Sequence, residues 1–221
     1  MPIAALCFDL DGTLVDSAAG VALALNTALA EAGLPPFDVA TVRGWIGDGP
    51  DALIGRALDA CQLHDLPVLA ARLRLRFDGA TLATPSAQGA AYPGIAALLA
   101  RLGGRYPMAV VTNKPTLLAR AVLDAAGLLE HFAQVHGADL PELRKPSPLL
   151  IQQAARRFGV SAASVLMVGD GAADLAAAGA AGSQAAWAAW GYGPLPAAGT
   201  WRLDVPADLL ARLPVRTPIH Q

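Results

Sequence analysis

Phe8-Asp9-Leu10-Asp11-Gly12-Thr13-Leu14-Val15-Asp16-Ser17 places two carboxylates two residues apart behind an apolar segment, Ile3 to Phe8. The apolar segment reads as a short buried strand, and the Gly-Thr pair as the turn that ends it. Ligands of open α/β sheets bind beyond the carboxyl ends of the strands. Asp9 and Asp11 therefore stand where chemistry is done in such folds. One acid can attack phosphorus or hold a cation while the other moves a proton. The competing reading is a plain polar strand-to-loop turn, and the rest of the chain decides between the two.

The chain has 221 residues, 54% of them hydrophobic and 15% charged. That suits one large domain, or a core with a smaller insert, with ample material to bury. The net charge is −2 and no basic run is long enough to suggest a nucleic-acid partner. Cys7 lies inside the first apolar segment and Cys61 far from it, so a buried thiol is expected rather than a disulfide. The N-terminus shows no basic segment, apolar signal core or cleavage pattern, and a cytoplasmic location is expected. Leu175 to Trp201 contains no charged residue, a length that could suggest a membrane span. Gly179, Gly182, Gly191, Gly193, Pro194 and Pro196 break it. It reads as a helix end, a buried strand and a loop, and no membrane contact is expected.

Four more strands are predicted: Met108 to Thr112, Ala133 to Val135, Val165 to Val168 and Gln184 to Ala189. Helical patterns lie between them, at Gly94 to Leu102, Leu117 to Ala126, Pro148 to Phe158 and Ala172 to Ala181. Strands alternating with helices predict a parallel sheet covered on both faces. The first gap is far longer than the dozen or so residues a crossover needs. Residues 16 to 82 are mostly helical in pattern, over Ala18 to Ala32, Pro50 to Ala60 and Pro67 to Phe77. They read as an inserted helical subdomain hinged near Val15 to Ser17 and Ala80 to Ser86. Such an insert would sit over the two acids, or be a peripheral embellishment. The C-terminal stretch, Pro214 to Gln221, reads as frayed.

Three predicted strands end in reactive groups. The first ends in Asp9 and Asp11, the second in Thr112-Asn113-Lys114-Pro115, and the fourth in Gly169-Asp170, with Asp174 four residues on. The chain has 14 arginines but only two lysines, Lys114 and Lys145, and both precede proline. Lysine is a compact point charge suited to a phosphoryl oxygen or a carboxylate cluster. Asp9, Asp11, Asp170 and Asp174 packed in one crevice would raise each other's pKa values unless neutralised. A hard divalent cation such as Mg²⁺, which takes carboxylates, water and phosphate oxygen, answers that need. His64, His131, His136 and His220 are scattered and form no zinc-type cluster.

These four segments resemble, in order, the motifs of the haloacid dehalogenase superfamily of aspartate-nucleophile phosphotransferases. The resemblance implies an α/β fold: a Rossmann-like parallel-sheet core of residues 1–15 and 83–221, with an α-helical cap of residues 16–82. Within the superfamily the chain is most similar to the phosphoglycolate phosphatases. Trp45-Ile46-Gly47-Asp48-Gly49 with Leu53, Val111-Thr112-Asn113-Lys114-Pro115-Thr116, Lys145-Pro146 and Gly191-Tyr192-Gly193 carry that likeness. The implied reaction is Mg²⁺-dependent hydrolysis of a small phosphorylated metabolite, 2-phosphoglycolate first among them. Asp9 would form an aspartyl-phosphate. Asp11 would protonate the leaving alkoxide and then take a proton from water. Asp9, the main-chain carbonyl of Asp11, and Asp170 would hold the metal. Thr112, with the Asn113 amide, would bind phosphoryl oxygens. Lys145 would offset charge, positioned by Asp174. Many relatives carry serine where Gly171 stands and asparagine where Ala173 stands. A second aspartate at Asp11 points to phosphate chemistry rather than carbon–halogen cleavage.

Arg43-Gly44-Trp45-Ile46-Gly47-Asp48-Gly49-Pro50 reads as a recognition loop. Arg43 is able to meet an anion, and the glycines, Gly47 among them, admit close backbone approach. It could equally join two helices, with Trp45 packed inside and Arg43 solvated. The expected state is a monomer or homodimer. Other readings are a sugar-phosphate phosphatase or phosphomutase of the same superfamily, a phospho-accepting signalling module, and a catalytically dead binding protein. A receiver-type module needs about half this length and no helical insert.

Overall fold

The computed structural model describes residues 2–194 and 200–214. In chain order the elements are β1 (Ala5–Phe8), β2 (Val15–Asp16), α1 (Ala18–Glu31), α2 (Val39–Arg43), α3 (Pro50–Ala60), α4 (Pro67–Ala83), β3 (Ala90–Ala91) and α5 (Ile95–Leu102). Then follow β4 (Met108–Thr112), α6 (Thr116–Ala125), β5 (Gln134–Gly137), α7 (Leu149–Arg157), β6 (Val165–Gly169), α8 (Ala172–Ala181), β7 (Gln184–Ala188), β8 (Trp201–Leu203) and α9 (Asp208–Arg212).

Six strands form one sheet in the order β5-β4-β1-β6-β7-β8, and every neighbouring pair in it is parallel. The period of two along β1 splits the core between the faces. Leu6 and Phe8 join Leu98, Leu99, Val122 and Leu123 of α5 and α6, while Ala5 and Cys7 join Leu150, Ile151, Ala177 and Ala178 of α7 and α8. Both faces are thus covered, as near-continuous apolar strands require. Truncating a fully buried leucine such as Leu6 would cost about 2–5 kcal/mol. The chain leaves β1 for β4 on one side and returns to β6 on the other, which makes the carboxyl end of β1 a topological switch point.

Helices α1 to α4 share their own apolar cluster. On α1 it uses Val21, Leu25, Ala28 and Leu29, spaced as one helical face, packed against Leu53, Ile54, Leu73 and Phe77. Leu118 of α6 reaches into the same cluster and ties it to the core. Helix α4 runs six residues past the predicted end at Phe77. Arg74 and Asp78 pair one turn apart and Thr81 is fully buried, and both extend the helix. The chain therefore returns later than Ala80 to Ser86. It comes back at β3, antiparallel to β2, with Ala91 opposite Val15 and Ala90 opposite Asp16. Gly89, at φ +123°, makes that return possible, since a Cβ there would lie 2.1 Å from the Asp16 carbonyl oxygen.

Strand β5 is shifted toward His136 and Gly137, which pair with Val111 and Thr112. Strand β8, three residues with a charged Arg202, has no counterpart among the predicted strands. A short edge strand carrying charge has little pattern to read. Among the described residues no helix is long and apolar enough to cross a membrane. Of the stretch expected to be frayed, Pro214 to Gln221, only Pro214 is among the described residues, and its carbonyl accepts from the Tyr106 hydroxyl at 2.8 Å; Pro196 and His220 lie outside them.

Candidate active site

Asp9 follows β1 directly, and its N–H donates to the Val168 carbonyl at 2.9 Å, continuing the ladder with β6. The chain then turns through Gly12 at φ +84°. A Cβ there would lie 2.5 Å from Asp170 Oδ2, so only glycine lets the first loop come this close to the acid after β6. Asp170 is fixed on both oxygens: Thr13 Oγ1 donates to Oδ1 and the Tyr192 N–H to Oδ2, each at 2.8 Å. Trp187 Nε1 donates to the Asp170 carbonyl at 2.9 Å, and Trp190 Nε1 to the Thr13 carbonyl at 3.0 Å. Asp174, in the first turn of α8, accepts from the Gly171 N–H at 2.9 Å.

Lys145 lies between the acids. Its Nζ is 2.5 Å from Asp174 Oδ1, 3.1 Å from the Val111 carbonyl and 2.8 Å from Asp9 Oδ1. The last contact is an ion pair without hydrogen-bond alignment, so Asp9 Oδ1 is a buried oxygen lacking an aligned donor. Asp9, Asp170 and Asp174 each offer an oxygen within 4.8 Å of the others'. The Asp11 carboxylate is outside that trio, held on both oxygens by Lys114 Nζ at 2.8 Å.

Burial pushes Asp9 up to about 6, helped by the Asp174 charge and opposed by Lys145. Burial likewise pushes Asp170 up to about 6, aided by Asp9 and opposed by its Tyr192 and Thr13 hydrogen bonds. Asp174 is raised by burial against the pull of Lys145. Burial disfavours the Lys145 ammonium, but the carboxylates of Asp174 and Asp9 outweigh it and raise its pKa. Four carboxylates and two ammonium groups leave a formal excess of two negative charges at this end of the sheet. With an unaligned oxygen on Asp9 and a rigidly held Asp170, that donor set fits one hard divalent cation.

Thr112 ends β4 with its Oγ1 accepting from the Lys114 N–H at 3.2 Å. The Asn113 side chain is a three-way clasp. Its Nδ2 donates to the carbonyls of Gly47 at 2.8 Å and Lys145 at 3.2 Å, and its Oδ1 accepts from the Lys145 N–H at 2.7 Å. The Lys145-Pro146 peptide is cis. Arg43 is exposed at the rim of a crevice that it lines together with Asp9, Asp11 and Asp170. It lies over the Tyr192 ring, 4.8 Å from its centroid, with Nη2 3.4 Å from the Gly191 carbonyl. Trp45 packs edge-on to Phe37 inside the helical layer. A crevice lies between the helical cluster and the sheet, with Asp9, Asp11, Thr112 and Lys114 on one side and Val21, Ile46, Leu53 and Phe77 on the other.

Thr13, Trp187 and Trp190 were not singled out by the sequence, and Tyr192 was noted without a role. A threonine behind Asp-Gly, and an aromatic set between glycines after the last core strand, are the only local signals they leave.

The family model for haloacid dehalogenase-like hydrolases matches residues 3–182. A phosphoglycolate phosphatase of Rhodospirillum rubrum is 40% identical over 206 residues, covering 91% of this chain and 86% of its own. The structure of a predicted phosphoglycolate phosphatase from Haemophilus somnus superposes with a TM-score of 0.86 at 32% identity, covering 95% of this chain and 97% of its own. CbbY from Rhodobacter sphaeroides, solved in complex with phosphate, gives 0.79 at 28% identity, covering 94% and 96%.

Proposed function

The chain belongs to the haloacid dehalogenase-like hydrolases, and from that premise we propose that it is a phosphoric monoester hydrolase acting on 2-phosphoglycolate through a phosphorylated Asp9. One observation carries the reading: Asp9, the first residue past β1, lines the crevice while its buried Oδ1 lies 2.8 Å from Lys145 Nζ.

Phosphoryl transfer is mostly positioning plus charge stabilisation. Asp9 attacks phosphorus as the ester oxygen leaves, and Asp11 delivers the proton that makes the leaving group an alcohol. Asp11 then takes a proton from the water that cleaves the Asp9 phosphate. Thr112 Oγ1 and the Asn113 main-chain N–H point donors at the phosphoryl oxygens, while the Asn113 side chain holds the Gly47 loop and Lys145 in register. Lys145 balances charge on Asp9, and Asp174 keeps its ammonium in place. Asp9, Asp170 and the Asp11 carbonyl would hold Mg²⁺, which when bound neutralises charge on the transferred group. The helical layer as a cap, residues 16–82 over a core of 1–15 and 83–221, belongs to the same reading, as does a cytoplasmic location. The shared apolar cluster of α1 to α4 supports the first, and two free thiols accord with the second.

The test is phosphate release by purified protein with Mg²⁺ from a panel of phosphoglycolate, sugar phosphates and nucleotides. Preference for phosphoglycolate is expected. Preference for hexose phosphates would overturn the substrate and leave the reaction class intact.

A further inference from the structure

We propose that Lys114 anchors a second negative charge on the substrate, so that the site selects small phosphate monoesters carrying a carboxylate next to the ester carbon. The inference rests on reading the crevice as a phosphatase site.

Lys114 stands two residues past Thr112 at the carboxyl end of β4 and is only 6% exposed. An ammonium carries three N–H donors. Two face the oxygens of Asp11, and no other acceptor among the described residues meets the third. Among the described residues, Lys114 is the one cationic side chain lining the crevice that holds Thr112 and Asn113, while Arg43 lines an adjoining crevice that also reaches Asp9 and Asp11. Lys145 is committed to Asp9, Asp174 and the Val111 carbonyl, and Arg43 lies against Tyr192. A buried charge short of acceptors is costly, and an arriving carboxylate would form a charge-assisted hydrogen bond there.

The opposite wall sharpens the selection. Val21, Ile46, Leu53 and Phe77 present no polar side-chain atoms, and the Gly47 carbonyl is taken by Asn113. A sugar phosphate would bury its hydroxyls against that wall without partners, which a site of this kind rejects. The Gly49 backbone sits so near the core that a Cβ on it would be 2.9 Å from the Asn113 carbonyl oxygen, so the insert leaves little depth for a long substrate.

The experiment compares kcat/KM for 2-phosphoglycolate and for ethyl phosphate, which replaces the carboxylate by a methyl group, in the presence of Mg²⁺. The unaltered protein is expected to favour the carboxylate by at least about tenfold. Lys114→Met should shrink that ratio by about 10- to 100-fold, mainly through KM for phosphoglycolate. Lys114→Arg, which keeps the cation, should retain more of the ratio. Equal efficiency on the two esters in the unaltered protein would overturn the proposal without any variant. So would a Lys114→Met protein that loses both activities by the same factor, or equal ratios in the two variants. A protein inactive on every phosphate ester would instead refute the phosphatase reading.

Discussion

The Tyr192 hydroxyl accepts a hydrogen bond from the Ser17 main-chain N–H at 2.7 Å, across 175 residues of chain. It also accepts from the Ala18 N–H at 3.0 Å and donates to Asp16 Oδ1 at 2.7 Å. Helix α1 starts at Ala18, and the Ser17 hydroxyl is buried without a partner. Tyr192 thus accepts from the N-cap N–H and from the first N–H of α1, which no turn of the helix satisfies. The main-chain N–H of the same tyrosine holds Asp170.

Tyr192→Phe removes the hydroxyl while leaving the ring under Arg43 and the main-chain bond to Asp170. Loss of the cap should weaken the start of α1 by about 1–2 kcal/mol. Amide exchange at Ser17 to Val21 should quicken, and KM should rise more than kcat falls. Unchanged exchange there would show that the tyrosine does not secure the hinge.

Asp9→Asn keeps the shape of the side chain and removes the nucleophile. Turnover should fall by at least about 10³-fold. Circular dichroism should be unaltered, because a carboxylate strained by burial and by Asp174 is replaced by a neutral amide. Near-normal Mg²⁺-dependent phosphate release from this variant would refute Asp9 as nucleophile.

Lys145→Ala strips the shared cation from two buried acids. Breaking a buried ion pair on one side costs about 3–5 kcal/mol. Denaturant unfolding should show a loss of that order at pH 7.5 and a smaller one at pH 5, where the stranded acids can take protons. A loss independent of pH would mean that the ammonium does not neutralise them.

Asp9 and Asp170 give the metal-free protein an unusual pH dependence. Both are raised from 3.8 to about 6, so between those values the folded state binds more protons than the unfolded chain. Their contribution to stability is therefore lost as pH rises from about 4 to 6. With chelator present, Tm should climb as the pH is lowered from 7 to 5. Saturating Mg²⁺ should raise Tm most at pH 7 and flatten that slope. A chelated protein whose Tm falls over that range would contradict the clustering of the acids.

Much of the sheet could be read from the chain because its strands are continuous apolar runs between glycine and proline boundaries. Met108–Thr112 and Ala172–Ala181 have the predicted limits. Trp201–Leu203 was invisible because three residues at an edge, one of them charged, carry no period. Helix α4 was ended too early at Phe77, because the Arg74–Asp78 pair and the burial of Thr81 that carry it on to Ala83 lie outside the apolar period. In the site, acids at strand ends announce themselves by position. The partner of Asp11 did not, since nothing local to Lys114 says which carboxylate it meets. Thr13 and Tyr192 were equally silent, because bonds spanning 157 and 175 residues leave no local trace.

The outgoing and returning chain, β2 and β3, are zipped side by side. The helices between them therefore leave and rejoin the rest of the chain side by side and contribute no strand to the six-stranded sheet. A module attached in that way can be exchanged for another of different length or shape while the six-stranded sheet keeps its order, provided that the Asn113 bond to the Gly47 carbonyl and the Leu118 contact are rebuilt. Diversification of what is hydrolysed is thereby separated from conservation of how, and transplanting the segment between Asp16 and Ala90 is the natural route to redirecting this scaffold.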